Sequence, residues 1–105
     1  MINSVFQPRK RFGQHFLHDT LIIDKIIKTI SPQKKETIVE IGPGTGALTI
    51  PLAKLAIKLY AIELDNDLSV MLKKKFRNNS LVKIIQADAL DFNFSALGNN
   101  LRIIG

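Results

Sequence analysis

Three glycines fall within five residues, Gly42-Pro43-Gly44-Thr45-Gly46, directly after Thr37–Ile41, a short run rich in β-branched side chains. Neither a helix nor a strand survives that density of glycine, so the segment is a tight loop. The run before it reads as a strand. Behind it, Leu48, Leu52 and Leu55 share one side of a helix expected over Ala47–Ala56, with Pro51 leaving the start of that helix open. A strand feeding a glycine loop that opens a helix lets a ligand lie against bare backbone, close to the partial positive charge of the helix N-terminus. A Cβ at Gly42 or Gly44 would hold such a ligand away.

The rest of the chain repeats this alternation. Ile22, Ile26 and Ile30, with Ile23 and Ile27, recur at four-residue spacing and predict a helix over Asp19–Ile30, capped by Asp19 or Thr20. Ser31-Pro32 ends it, because a residue before proline avoids the α region. Lys58–Leu64 reads as a second strand and Asp65–Phe76 as a helix opened by Asp65 or Asn66. Leu81–Ala87 reads as a third strand and Leu101–Ile104 as a fourth. Alternating strands and helices at this spacing predict an α/β fold with an open, doubly wound parallel sheet. No helix follows the fourth strand, whereas parallel strands are normally covered on both faces. The expectation is therefore the front part of a longer chain, with residues 1–18 a basic leader and 19–105 the N-terminal half of a domain.

Composition narrows the class of partner. At 105 residues there is room for one domain. Hydrophobic residues at 46% and charged residues at 23% match globular usage and exclude disordered or collagen-like chains. No cysteine is present, which excludes disulfides, thiolate metal sites and cysteine nucleophiles. No apolar run approaches the roughly 20 residues of a membrane span, and Met1–Lys10 lacks the apolar core of a secretory signal, so a cytoplasmic protein is expected. Fifteen Lys and Arg against nine Asp and Glu give +6, which suits either solubility or a polyanionic partner such as nucleic acid. Arg9-Lys10-Arg11, beside Phe12, suits phosphate contact. Lys73, Lys74, Lys75 and Arg77 read as a helix C-terminus answering its dipole.

Glu63 stands at the end of the second strand, 17 residues after Gly46, where a carboxylate can accept from both hydroxyls of a ribose. Asp88 stands at the end of the third, on the same carboxyl edge where open α/β sheets bind ligands. The plainer reading has both acids capping the elements that follow them. The loop itself fits two nucleosides. Gly42-x-Gly44-x-x-Ala47 satisfies the dinucleotide pattern in its alanine form, which points to a nicotinamide-dependent oxidoreductase. Glu40, just before the loop, instead suits a ligand with a cationic amino group, as S-adenosylmethionine has. A nucleic-acid-binding module with a decayed nucleoside loop is the third possibility. His15 and His18 read as surface or capping groups, and nothing stands at metal-ligand spacing, so no metal is expected.

Four stretches together are more specific. Arg9-Lys10-Arg11-Phe12-Gly13-Gln14-His15-Phe16-Leu17, Glu40-Ile41-Gly42-Pro43-Gly44-Thr45-Gly46-Ala47-Leu48-Thr49, Ala61-Ile62-Glu63-Leu64-Asp65 and Ala87-Asp88-Ala89 resemble, in order and interval, the motifs of the ribosomal RNA adenine N6-dimethyltransferases of the small subunit. The macrolide-resistance methylases of large-subunit rRNA share the layout but usually lack the leader and the proline at 43. The resemblance implies a Rossmann-like class I S-adenosylmethionine-dependent methyltransferase fold, truncated here after the fourth parallel strand. It implies N6,N6-dimethylation of two adjacent adenines near the 3′ end of small-subunit rRNA during ribosome assembly; a monomer is expected. Gln14, His15 and Leu17 would close over the cofactor, and Gly42, Gly44 and Gly46 would line its methionine end, with Glu40 behind. Glu63 would hold the ribose, Asp88 and Ala89 would meet the adenine, and Arg9, Lys10 and Arg11 would contact rRNA. The family's catalytic N-L-P-[YF] would begin right after Gly105, so no catalytic residue is assigned within the chain and the 105-residue piece is expected to be inactive.

Overall fold

The computed structural model describes residues 19–105, which divide between Ser31 and Pro32 into two units. The described part of the first unit is one helix, α1 (Thr20–Ile30). Asp19 caps it, its carboxylate accepting from the backbone N–H groups of Leu21 at 2.9 Å and Ile22 at 3.4 Å. The five isoleucines of the expected face are all half-buried. The helix stops where the proline requires, but Ser31 does so in the left-handed region (φ 47°, ψ 59°) rather than in extended backbone, its N–H donating to the Ile27 carbonyl at 2.8 Å.

The second unit is a parallel sheet. Its strands are β1 (Thr37–Ile41), β2 (Lys58–Glu63), β3 (Val82–Gln86) and β4 (Leu101–Ile104), in the order β3-β2-β1-β4. The helices between them are α2 (Thr49–Ala53) and α3 (Asn66–Lys75), and a 3-10 turn, Phe94–Leu97, leads into β4. Strand order reverses beside β1, and that is where an open sheet leaves a crevice at its carboxyl edge. The core sits on the central pair: Ile38, Val39, Leu59, Ala61 and Ile62 are at most 1% exposed, joined by Leu52, Ile57 and Leu72 from the connections. Near-continuous burial along β1 and β2 is what a strand covered on both faces requires. At the opposite end, Arg102 of β4 pairs with Glu36, just ahead of β1, at 2.9 Å.

Several expected elements change their bounds. The helix behind the glycine loop is Thr49–Ala53 rather than Ala47–Ala56. Gly46 to Leu48 form its entry turn, with the Ile50 N–H donating to the Gly46 carbonyl at 2.9 Å and the Leu52 N–H to the Leu48 carbonyl at 3.1 Å. Pro51 is tolerated because it lies in the first turn, where its fixed φ suits the helix and the one bond it forgoes, to the Ala47 carbonyl, belongs to the entry turn ahead of Thr49. Beyond Ala53 the turns tighten, Ala56 takes a positive φ of 57°, and Leu55 falls outside the helix at 39% exposure. The strand ends also trim by one residue: Leu64, Leu81 and Ala87 lie outside β2 and β3.

Candidate nucleoside site

The carboxyl ends of β1, β2 and β3 meet around the glycine loop. Gly42, Gly44 and Gly46 all have positive φ, at 68°, 60° and 93°. A Cβ at Gly42 or Gly44 would meet no atom within 4 Å, so the loop borders open space that a side chain would enter. Gly46 is different. It is buried, and its Cβ would come within 3.1 Å of Leu72 Cδ2 on α3, so this glycine serves close packing. The Gly42 N–H donates to the Ile62 carbonyl at 2.9 Å and ties the loop to the end of β2.

Glu63 is the last residue of β2 and is 8% exposed. Its Oε1 accepts from the Gly44 N–H at 3.0 Å and its Oε2 from the Asp65 N–H at 2.9 Å. The two bonds fix the plane of the carboxylate against the loop, and each oxygen keeps acceptor capacity for a further donor. A planar acceptor held beside bare glycine backbone is what two vicinal hydroxyls need. Asp65, in turn, caps α3, its Oδ1 accepting from the Leu68 N–H at 2.9 Å. The plainer expectation for Glu63, a helix cap, is therefore met by Asp65 instead.

Glu40 lies beneath the loop at 4% exposure. The Thr49 hydroxyl donates to its Oε1 at 2.7 Å. Its Oε2 has no hydrogen-bond partner among the described residues. Burial pushes this carboxyl up to about 7, the Glu63 charge adds to the rise, and the Thr49 hydrogen bond opposes it. Thr49 escaped the sequence reading as a functional residue. Its signal was a hydroxyl in the first turn of a helix that opens directly behind a buried acid.

Asp88 is exposed, two residues past β3. Its Oδ1 accepts from the Leu90 N–H at 2.9 Å, a self-made turn that leaves Oδ2 without a partner among the described residues. The Ala87 N–H donates to the Glu63 carbonyl at 3.2 Å, so Asp88 and Ala89 sit directly beyond Glu63 on the same edge. The structure thus brings together Glu40, Gly42, Gly44, Gly46, Glu63, Asp88 and Ala89. Gln14, His15 and Leu17, with Arg9, Lys10 and Arg11, lie outside the described residues. No group of three or more potential metal ligands occurs among the described residues, and no helix among them is long and apolar enough to cross a membrane.

Fold and site define a class. The four-stranded order, the glycine loop after β1 and the acid ending β2 are those of class I S-adenosylmethionine-dependent methyltransferases. Among solved structures the chain is similar to the 23S rRNA methyltransferase ErmE (TM-score 0.67, 31% identity, covering 74% of this chain and 32% of that one). It is similar as well to a dimethyladenosine transferase from Plasmodium falciparum (TM-score 0.66, 31% identity, 72% and 28%). The sequence model of the ribosomal RNA adenine dimethylase family matches residues 5–105, and the chain belongs to that family. The ribosomal RNA small subunit methyltransferase A of Coxiella burnetii (strain RSA 493 / Nine Mile phase I) is 48% identical over 99 residues, which cover 92% of this chain. The chain spans 38% of the length of that relative.

Proposed function

We propose that this chain forms the cofactor-binding half of an enzyme that dimethylates two adjacent adenines near the 3′ end of small-subunit rRNA during ribosome assembly, with S-adenosylmethionine as methyl donor. The observation that carries the reading is the Glu63 carboxylate, clamped by the Gly44 and Asp65 N–H groups at the edge where the glycine loop opens. The residues present fit the cofactor: open space stands over Gly42 and Gly44, and a buried Glu40 oxygen lacks a partner among the described residues. When bound, S-adenosylmethionine supplies an electrophilic sulfonium methyl.

The work of this chain is binding and orientation. Glu63 accepts from the two ribose hydroxyls in a plane already fixed by the backbone. Gly42 and Gly44 admit the methionine end against the loop. Glu40 offers buried negative charge to an ammonium group, with Thr49 holding the carboxylate in place. Asp88 Oδ2 and the backbone at Ala89 take the adenine edge, Oδ2 accepting from its amino group. Gln14, His15 and Leu17 cover the cofactor, and Arg9, Lys10 and Arg11 meet rRNA phosphates, as the family resemblance implies. On this reading the protein is a cytoplasmic monomer that acts on the small ribosomal subunit.

Calorimetry with S-adenosylhomocysteine and with NAD tests the cofactor reading. S-adenosylhomocysteine binds and NAD does not; tighter NAD binding would sink it. Replacing Glu63 by alanine weakens S-adenosylhomocysteine binding by about 1–3 kcal/mol, roughly 5- to 150-fold, through loss of hydrogen bonds to a charged acceptor. An unchanged dissociation constant would remove Glu63 from the ribose site.

A further inference from the structure

Charge is segregated across the sheet. In the Pro32–Gly105 unit every Asp and Glu except Glu36 lies at the carboxyl edge: Glu40, Glu63, Asp65, Asp67, Asp88 and Asp91. Every Lys and Arg lies at the amino edge or on a connection leading to it, from Lys34 and Lys35 before β1 to Lys83 in β3. Glu36 is already paired with Arg102. The amino edge is therefore a cationic surface that no acid of this unit is left to neutralise.

On that edge an open groove of about 340 Å³ lies between the end of α3 and the edge strand β3. It is lined by Lys73, Arg77 and Lys83, with Phe76, Asn79 and Ser80 between them. None of the three cations forms an ion pair among the described residues. The helix dipole accounts for Lys73 but not for Arg77 and Lys83, which lie outside α3. The C-terminus of a helix carries about half a negative elementary charge, whereas the last turn of α3 alone holds Lys73, Lys74 and Lys75. Arg77 and Lys83, with Lys73, face a groove that also offers an aromatic ring, an amide and a hydroxyl. Cations to meet phosphates, a π-face for a base and neutral donors for sugar oxygens are the components of a sequence-tolerant RNA contact.

We infer that this groove at the amino edge of the sheet is a second RNA-backbone site, set apart from the cofactor edge, and that it holds the strand flanking the target adenine. The inference rests on the rRNA-methylating reading. A base delivered to the carboxyl edge brings its own phosphates beside six carboxylates. Strands of five or six residues separate the two edges by about 17–20 Å, so RNA running over β3 leaves the acidic edge and reaches the cations within a few nucleotides.

Fluorescence anisotropy of a labelled hairpin RNA with single-stranded flanks, across a salt series, tests this on the full chain. The double variant Arg77→Gln/Lys83→Gln is compared with Lys25→Gln/Lys28→Gln, which removes equal charge from α1. Lys73 is left in place because it also answers the helix dipole. The groove variant lowers the slope of log affinity against log salt by about 2, close to one unit per phosphate contact removed, while the α1 variant leaves the slope unchanged. Calorimetry shows S-adenosylhomocysteine bound equally by all three proteins, which confirms that each is folded. Equal slopes for the two variants, or no RNA binding by the unsubstituted chain, overturn the groove even where S-adenosylhomocysteine still binds and the methyltransferase reading stands. Failure of the unsubstituted chain to bind S-adenosylhomocysteine overturns that reading, and the inference with it.

Discussion

Glu40 carries the sharpest chemistry of any single residue here. A carboxylate in near-complete burial keeps one hydrogen-bond donor, the Thr49 hydroxyl, and faces the negative charge of Glu63. Its folded value of about 7 lies above the ordinary 4.5, so the native chain binds a proton that the unfolded chain releases. Stability from this group is therefore complete below about 4.5 and is lost as pH rises through about 7. The gap corresponds to about 3 kcal/mol at most. Urea midpoints at pH 5 and pH 8 check this: the unsubstituted chain is less stable at pH 8, and Glu40→Gln, which can still accept from Thr49, removes most of that difference. An equal pH dependence in the two proteins would assign the effect elsewhere. A ligand ammonium beside Glu40 would lower the same proton affinity, which is a physical reason to keep a buried acid beneath a cofactor loop.

Among the elements, the glycine loop and α2 work as one piece. α2 has only five residues, too few to be stable by hydrogen bonding alone, so it depends on packing. Leu52 and Thr49, both fully buried, supply that packing from inside. Gly46 lets the loop descend onto Leu72 of α3 at a φ of 93°. Replacing Gly46 by alanine combines a strained backbone with a contact of 3.1 Å, and is expected to destabilise the chain by about 1–3 kcal/mol. Thermal unfolding reads this as a fall of roughly 5–20 °C in Tm. A Tm unchanged by the substitution would mean that Leu72 and the loop relax freely, and that Gly46 is not what holds the loop against α3.

At the scale of the whole molecule, the central strand pair dominates. Ile62 is 1% exposed, sits opposite Ile41 on one side and Ile85 on the other, and so joins three strands of the sheet. Truncation to alanine leaves a cavity that costs about 2–5 kcal/mol, against a total stability of about 5–15 kcal/mol for an ordinary domain. Ile62→Ala is expected to lower the urea midpoint more than any change at the exposed Ile103, where 51% of the surface is already in water. A larger loss from Ile103→Ala would place the stabilising packing on β4 instead. The same sheet separates two surfaces electrostatically, acids at one edge and cations at the other.

Local sequence was enough for much of this. Periodicity and β-branched runs placed the helices and strands, because side-chain spacing reports secondary structure directly. The glycine spacing determined a positive-φ loop, and Glu63 and Asp88 were legible as acids at strand ends. The length of α2 was not legible, because leucine spacing continues past the point where Ala56 turns the chain. Nor was the clamp at β2, where Glu63 accepts from the Gly44 and Asp65 N–H groups, although Asp65 was one of the two caps the sequence offered for α3. The burial of Glu40 against Thr49, the order β3-β2-β1-β4 and the basic groove between α3 and β3 were decided only by the tertiary structure. Each depends on which crossover lays one segment over another. Residues far apart in the chain then share a dielectric, a hydrogen bond or a surface that no local pattern records.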